Sequence, residues 1–180
     1  MRDLVWFATL CGLLTGWAES LYWCANHYVS QHFTYVHEHI FWMSPMAYGV
    51  VFAVAGLLLG GPAARIAHPV AGMFVVVVLA MASVYCTLLL FPQMHCMGQL
   101  LLTVGVATQI ARWCEQHPIL TRIASRRITV GLTIVTTVIA VFQFVDDVYC
   151  EHRQLANRPA AERQAPDVLL IVLDTVRADA

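Results

Sequence analysis

The chain has 180 residues, of which 59% are hydrophobic and only 12% are charged, and its mean hydropathy is +0.68. A soluble domain of this length needs far less apolar surface for its core, so the composition excludes that class and indicates an integral membrane protein. The formal net charge of -1 gives no electrostatic basis for binding nucleic acid. The expected partner is therefore a lipid bilayer.

Five apolar stretches are long enough to cross a bilayer as helices, since a transmembrane helix needs roughly 17–25 residues. We predict these spans at about residues 4–24, 41–59, 69–91, 94–113 and 128–145. Helix breakers lie near the ends of three spans, at Gly60-Gly61-Pro62, Phe91-Pro92 and His117-Pro118. The predicted fold is mainly α, with a five-helix transmembrane bundle over residues 1–145.

Glu19 lies inside the first predicted span, where the burial of a charge is costly. An intramembrane acid is for that reason a functional hypothesis by default. Its neighbours Trp17, Tyr22 and Trp23, however, belong to the aromatic belt expected at a membrane interface. Two interpretations stay open. The carboxyl group has a structural role, hydrogen-bonded between helices or reaching the interface, or it handles a substrate or a proton.

Two predicted outer loops carry soft or borderline metal ligands. Their side chains are His27, His32, His37, His39, Met94, His95, Cys96 and Met97. A copper or zinc site shared between these loops is chemically conceivable. The spacing is not that of a compact site, and histidines are common in loops at membrane surfaces, so we assign no metal ligand there.

The arginines predict how the chain is oriented. They lie before the first span, between the second and third, and between the fourth and fifth, at Arg2, Arg65, Arg112, Arg122, Arg126 and Arg127. The alternate loops, residues 25–40 and 92–93, contain no Arg or Lys. Because basic residues favour cytoplasmic loops, we expect a cytoplasmic N-terminus and, after five crossings, a C-terminal part in the periplasm or outside the cell. The expected location is the inner or plasma membrane of a bacterium.

Beyond the last span the composition changes twice. Residues 146–166 are polar and are interrupted by proline, which predicts a juxtamembrane helix followed by a spacer. In residues 167–173, six apolar residues follow Asp167, which predicts a strand buried inside a parallel sheet, where the chemistry lies beyond the carboxyl ends of the strands. Asp174 stands at that end, and a carboxylate there is suited to bind a hard divalent cation.

Residues 166–179, Pro-Asp-Val-Leu-Leu-Ile-Val-Leu-Asp-Thr-Val-Arg-Ala-Asp, resemble the opening strand of the sulfatase catalytic domain. Sulfatases belong to the alkaline-phosphatase-like superfamily of metal-dependent hydrolases and transferases. The resemblance implies that an α/β domain begins at residue 167, with Asp174 as a ligand of Ca, Mg, Mn or Zn. Thr175 stands where many sulfatases have a second acidic ligand and is not assigned as one. Arg177 and Asp179 are expected to fix the turn after the strand.

The family's nucleophile is a formylglycine made from a Cys/Ser-x-Pro-x-Arg motif, or an unmodified Ser or Thr in phosphotransferase relatives. No such motif occurs in the 180 residues. We therefore expect the membrane portion of a larger enzyme, which acts on sulfate or phosphate esters outside the cytoplasm and takes its nucleophile and other ligands from downstream sequence. This portion alone should be inactive. The alternative is a non-catalytic five-span membrane protein, such as an assembly partner or a sensor.

Overall fold

The computed structural model describes residues 2–29, 39–65 and 69–157, and every regular element in these ranges is an α-helix. The helices are α1 (Arg2–Val29), α2 (Ile40–Arg65), α3 (Pro69–Leu88), α4 (Cys96–Gln116) and α5 (Pro118–Ala156). The mainly α prediction is confirmed for the described part of the chain. The strand predicted at residues 167–173 lies outside the described residues.

The chain divides into two compact units, Met1–Val145 and Asp146–Ala180. The helix packing discussed below belongs to the first unit. In the second, the described residues continue α5 to Ala156, and their side chains are exposed to solvent.

Three of the helices are long and apolar enough to cross a membrane, namely α1, α2 and α5. The apolar part of α3 within the described residues is Gly72–Leu88, which is shorter than a typical span. Helix α4 has 21 residues but includes Gln99, Gln109 and Arg112, which lower its hydropathy. Length and composition thus indicate a membrane protein, with three candidate spans where the sequence predicted five.

Two boundaries differ from the prediction because proline does not always end a helix. Helix α2 continues through Gly60-Gly61-Pro62 to Arg65. Pro62 lies in the last turn, where its missing N–H removes only one backbone hydrogen bond. Helix α5 begins at Pro118, the first helical position, where no intrahelical donor is needed.

The predicted loop between the fourth and fifth spans is consequently almost absent. It consists of His117, whose N–H donates to the carbonyl oxygen of Trp113 at 3.0 Å. Arg122, Arg126 and Arg127 therefore lie on the N-terminal turns of α5 and not in a loop.

Helix α1 is the centre of the bundle and packs against α2 and α3, while α3 also packs against α4. Small residues recur every four positions on the face of α1 toward α2, at Ala8, Gly12, Gly16 and Ser20. A Cβ atom added to Gly12 would lie 2.8 Å from the Cβ of Phe52, and one added to Gly56 would lie 2.5 Å from the Cβ of Ala8. Such spacing lets two helix backbones approach closely.

The bundle buries several polar side chains beside an apolar cluster that includes Phe7, Phe52 and Leu79. The buried polar side chains within the described residues include Thr15, Ser20, Gln99, Thr103, Ser125, Thr129 and Thr136. Other large apolar side chains face outward, among them Leu101 at 77% exposure and Phe142 at 73%. Such a surface would be unfavourable in water and is what a lipid environment requires.

Helix α5 is joined to α1 by three polar contacts at successive levels. These are the ion pair of Asp3 with Arg122 at 2.9 Å, the bond from the Thr129 hydroxyl to the Trp6 carbonyl oxygen at 3.3 Å, and the bond from the Trp17 indole N–H to the Thr136 hydroxyl at 3.2 Å. Residue numbers rise together on both helices. Helices α1 and α5 therefore run in the same direction.

Candidate functional site: the polar cluster around Glu19

The candidate site lies where the backbones of α1 and α2 are in close contact, beside Gly16 and Pro45. A Cβ atom on Gly16 would lie 2.6 Å from the nitrogen of Pro45 and 2.7 Å from the carbonyl oxygen of Ser44. Any residue other than glycine would force the helices apart. The close approach brings two side chains together. They are Ser44 of α2, directly before Pro45, and Glu19 of α1, three residues after Gly16.

The hydroxyl group of Ser44 donates to Oε2 of Glu19 across 2.5 Å. The same hydroxyl lies 3.3 Å from the carbonyl oxygen of Gly16. Glu19 is half-buried and hydrogen-bonded between two helices, as the structural interpretation of this residue requires. Its part in handling a proton or a substrate stays a prediction.

The cluster extends to further groups on α1, α2 and α3. The buried hydroxyl of Ser20 lies 3.0 Å from the carbonyl oxygens of both Gly16 and Ile40, which ties α1 to the start of α2. On α3, the Ser83 hydroxyl lies 2.8 Å from the hydroxyl of Thr15, one helical turn from Glu19. Three helices therefore contribute polar groups to this cluster.

The geometry allows Glu19 to be hydrogen-bonded in either protonation state. When the carboxyl group is ionised, it accepts the Ser44 proton. When it is protonated, it can donate to the Ser44 oxygen, while the Ser44 proton turns to the Gly16 carbonyl oxygen. Neither state leaves the serine hydroxyl without a partner. The arrangement can thus hold one proton inside the bundle without an unsatisfied group, whose burial would be costly.

One helical turn toward the N-terminus of α1, a second polar contact joins α1 to α3. The hydroxyls of Thr15 and Ser83 are 2.8 Å apart, and the Ser83 hydroxyl also donates to the carbonyl oxygen of Cys11 at 3.2 Å. Such interhelical hydrogen bonds stabilise membrane bundles by roughly 0.6–2 kcal/mol each. They fix the position of α3 relative to α1.

The other residues predicted to form a site fall elsewhere. Asp174, Thr175, Arg177 and Asp179 lie outside the described residues, so the structure defines no geometry for a divalent metal at Asp174. Within residues 2–29, 39–65 and 69–157, no three His, Cys, Asp or Glu side chains converge as a metal site would require. Of the outer-loop histidines, His32 and His37 lie outside these ranges. The six cysteines are all free thiols.

Comparisons with known proteins leave the family open. No family model, no curated protein and no solved structure matches the chain. The resemblance of residues 166–179 to the sulfatase strand therefore stays a prediction. The description of the Glu19 cluster rests on its own geometry.

Sequence reasoning identified Glu19 but not its partner. Ser44 is an ordinary serine beside a proline, and only the packing of α2 on α1 gives it a role. One signal was present in the sequence, because the four-residue spacing of Ala8, Gly12, Gly16 and Ser20 marks the close-packing face of α1. Glu19 borders that face, so the spacing points to a partner on whichever helix packs there.

Proposed function

We propose that this chain is the membrane domain of a sulfatase-like enzyme, a metal-dependent hydrolase or transferase of sulfate or phosphate esters outside the cytoplasm. In this proposal five helices cross the membrane with the N-terminus in the cytoplasm. The catalytic domain begins at residue 167, and Asp174 is one of its metal ligands. The helix bundle holds that domain at the membrane surface, and the Glu19 cluster fixes α2 against α1.

The motif at residues 166–179 carries the enzymatic part of the proposal. An apolar run that ends in Asp174 places a carboxylate at the end of a predicted buried strand, where parallel sheets bind ligands. A hard divalent cation prefers oxygen ligands of this kind. The chemistry of the residues and the family resemblance thus agree on the same position.

The direction of the helices supports the proposed topology. Because α1 and α5 run in the same direction, an odd number of crossings is expected from the start of α1 to the end of α5. Arg122, Arg126 and Arg127 lie at the same end of the bundle as Asp3, the end assigned to the cytoplasm by the distribution of basic residues.

Helices α3 and α4 are included as spans because of their length and because α4 buries the polar residues of its first two turns. Its buried stripe consists of Gln99, Thr103, Ala107 and Ala111, whereas Leu101 faces outward. Gln109 and Arg112, nearer the C-terminal end of α4, are exposed, so the low hydropathy of α4 reflects both its buried stripe and this end of the helix. At 1.5 Å per residue, helices of this length extend about 30 Å, the thickness of the hydrocarbon core.

The turn between α3 and α4 is closed by the side chain of Gln99. Its amide nitrogen donates to the carbonyl oxygens of Leu88 and Phe91 at 3.1 and 3.2 Å. The same two carbonyl oxygens also accept backbone N–H groups, from Phe91 and Met94 respectively, so side-chain and backbone bonds hold the turn together. A short, internally bonded turn of this kind suits two antiparallel helices that meet at a membrane surface.

The experiment that tests the enzymatic proposal uses the full-length gene product, purified in detergent. Hydrolysis of a chromogenic aryl sulfate and an aryl phosphate is measured with and without divalent cations. We expect cation-dependent hydrolysis of one ester and its loss by more than about 100-fold in Asp174→Ala, since a metal ligand is removed. Asp167→Ala removes a carboxylate from the other end of the same predicted strand and should retain activity.

Hydrolysis that survives Asp174→Ala would show that this residue is not a ligand. A full-length product with no cation-dependent activity on either ester would instead favour the non-catalytic five-span alternative.

A further inference from the structure

Three arginines of α5 and two residues of α1 line a cleft at the N-terminal ends of these helices. The cleft has a volume of about 600 Å³ and is bordered by Asp3, Trp6, Arg122, Arg126 and Arg127. In the part of the chain that the structure describes, Arg122 alone of the three arginines is in an ion pair, with Asp3 at 2.9 Å. The guanidinium groups of Arg126 and Arg127 therefore give the cleft an unbalanced positive charge.

The walls of the cleft are apolar below this charged rim. Ile123 and Val130 of α5 line it together with the indole ring of Trp6. Trp6 is half-buried, and its carbonyl oxygen accepts the Thr129 hydroxyl proton, so the backbone of α1 is fixed beside the arginines. A positive rim above an apolar wall matches an amphipathic ligand with a negatively charged head.

Two further cavities adjoin the cleft in succession through shared lining residues and form a groove beside it. A neighbouring cavity of about 710 Å³ shares Asp3, Arg122 and Ile123 with the cleft and extends to Phe7 and Gly72. It shares Phe7 in turn with a deeper cavity of about 340 Å³ between α1, α3, α4 and α5. The residues that line this deeper cavity are mostly apolar, including Leu10, Leu14, Val84, Ile110 and Ile128. The three adjoining spaces thus run from a charged mouth to an apolar groove, in which Leu14 and Ile128 are about half-exposed.

From these observations we propose that the cleft and groove bind one anionic phospholipid. The phosphate group binds Arg126 and Arg127 at the rim, and an acyl chain lies in the groove toward Phe7. Arginine forms paired hydrogen bonds with phosphate oxygens and is less strongly hydrated than lysine. Basic pockets between membrane helices bind anionic head groups in this way. The proposal concerns only the first unit of the chain and does not depend on Asp174 or on any catalytic activity.

The proposed preference for an anionic head group is tested with the full chain purified in a neutral detergent. Binding of phosphatidylglycerol and of phosphatidylcholine with the same acyl chains is measured by native mass spectrometry. We expect phosphatidylglycerol to bind about tenfold more tightly, and Arg126→Gln/Arg127→Gln to abolish that difference. Arg112→Gln, which removes an arginine of α4 outside the cleft, should leave it unchanged. Equal binding of the two lipids, or a double variant that behaves as the wild type, would overturn the proposal.

The proposed position of the acyl chain is tested by a substitution that fills the groove. A Cβ atom on Gly72 would meet no other atom within 4 Å, so Gly72→Leu adds a side chain to open space in the groove. We expect it to weaken phosphatidylglycerol binding several-fold, whereas Gly105→Leu, equally open but on α4 outside the groove, should not. Inorganic phosphate at millimolar concentration should not displace the lipid. Displacement by phosphate, together with binding that Gly72→Leu leaves unchanged, would indicate a free-anion site and contradict a lipid site.

Discussion

Ser44 on α2 donates its hydroxyl proton to the carboxylate of Glu19 on α1 across 2.5 Å. The bond joins the two helices at a point where Gly16 allows their backbones to touch. An acidic side chain within a predicted span is therefore not isolated. It is part of the contact that holds α2 on α1.

The hydrogen bond between Ser44 and Glu19 leads to a prediction about stability. We expect Ser44→Ala to lower the free energy of unfolding by about 1 kcal/mol, because Glu19 loses a donor in a partly buried position. The measurement is SDS titration in mixed micelles. A cycle with Glu19→Ala should give a coupling of similar size, and strict additivity of the two changes would argue against the contact. Thr108→Ala, which removes an exposed hydroxyl bonded within its own helix, serves as the control.

The close packing of α1 on α2 predicts opposite effects for two glycine substitutions. Gly16→Ala should destabilise the protein by about 1–3 kcal/mol, because the added methyl group overlaps the Pro45 backbone and neither backbone can yield without moving a helix. Gly105→Ala meets nothing within 4 Å and should stabilise α4 by up to about 1 kcal/mol. Both are measured by the same SDS titration. A Gly16→Ala protein as stable as the wild type would show that the helices are further apart than described.

The number of membrane crossings depends on the side of the membrane on which the turn between α3 and α4 lies. With five spans, a reporter fused after Gln93 lies outside the cytoplasm and one fused after Gln116 lies inside it. With only α1, α2 and α5 crossing, both lie inside. We expect alkaline phosphatase to be active at Gln93 and at Asn157, and a fluorescent protein that folds only in the cytoplasm to be bright at Gln116. Fluorescence at both Gln93 and Gln116 would refute the five-span topology.

The ion pair of Asp3 with Arg122 should contribute little to stability. The two side chains are 50% and 61% exposed, and surface pairs of this kind are worth about 0–1 kcal/mol. We expect Asp3→Arg alone to lower the thermal unfolding midpoint slightly at low salt, and Asp3→Arg with Arg122→Asp to restore it. Adding 0.5 M salt should erase both differences, since the Debye length then falls to about 4 Å. A double variant less stable than the single one would show that the two side chains do not interact.

The sequence predicts where the helices lie better than where they begin and end. Apolar runs mark the stretch that meets lipid, and each predicted span falls largely on an observed helix. Hydropathy does not mark helix ends, because a helix can continue into polar surroundings wherever its backbone bonds can form. For this reason α5 begins at Pro118 and continues to Ala156, well beyond the apolar run predicted at residues 128–145.

The candidate site is less predictable because it depends on contacts between distant residues. Glu19 is conspicuous in an apolar run, whereas Ser44 becomes relevant only once α2 lies against α1. Trp17 shows the same limit. The sequence predicts that it belongs to an interfacial aromatic belt, whereas its indole N–H donates to Thr136 on α5, a residue 119 positions away in the sequence. Periodicity along one helix carries no information about such a partner.

The apolar outer surface of the bundle has a consequence for protein engineering. Replacing the outward-facing side chains, such as Leu101 and Phe142, with charged ones would make a surface compatible with water. The interior would then have to hold the helices together with a small apolar cluster around Phe7 and Phe52, with small residues and with hydroxyls such as that of Thr136, which together offer less apolar area than folding in water requires. A water-soluble analogue therefore requires a redesigned interior as well as a redesigned surface.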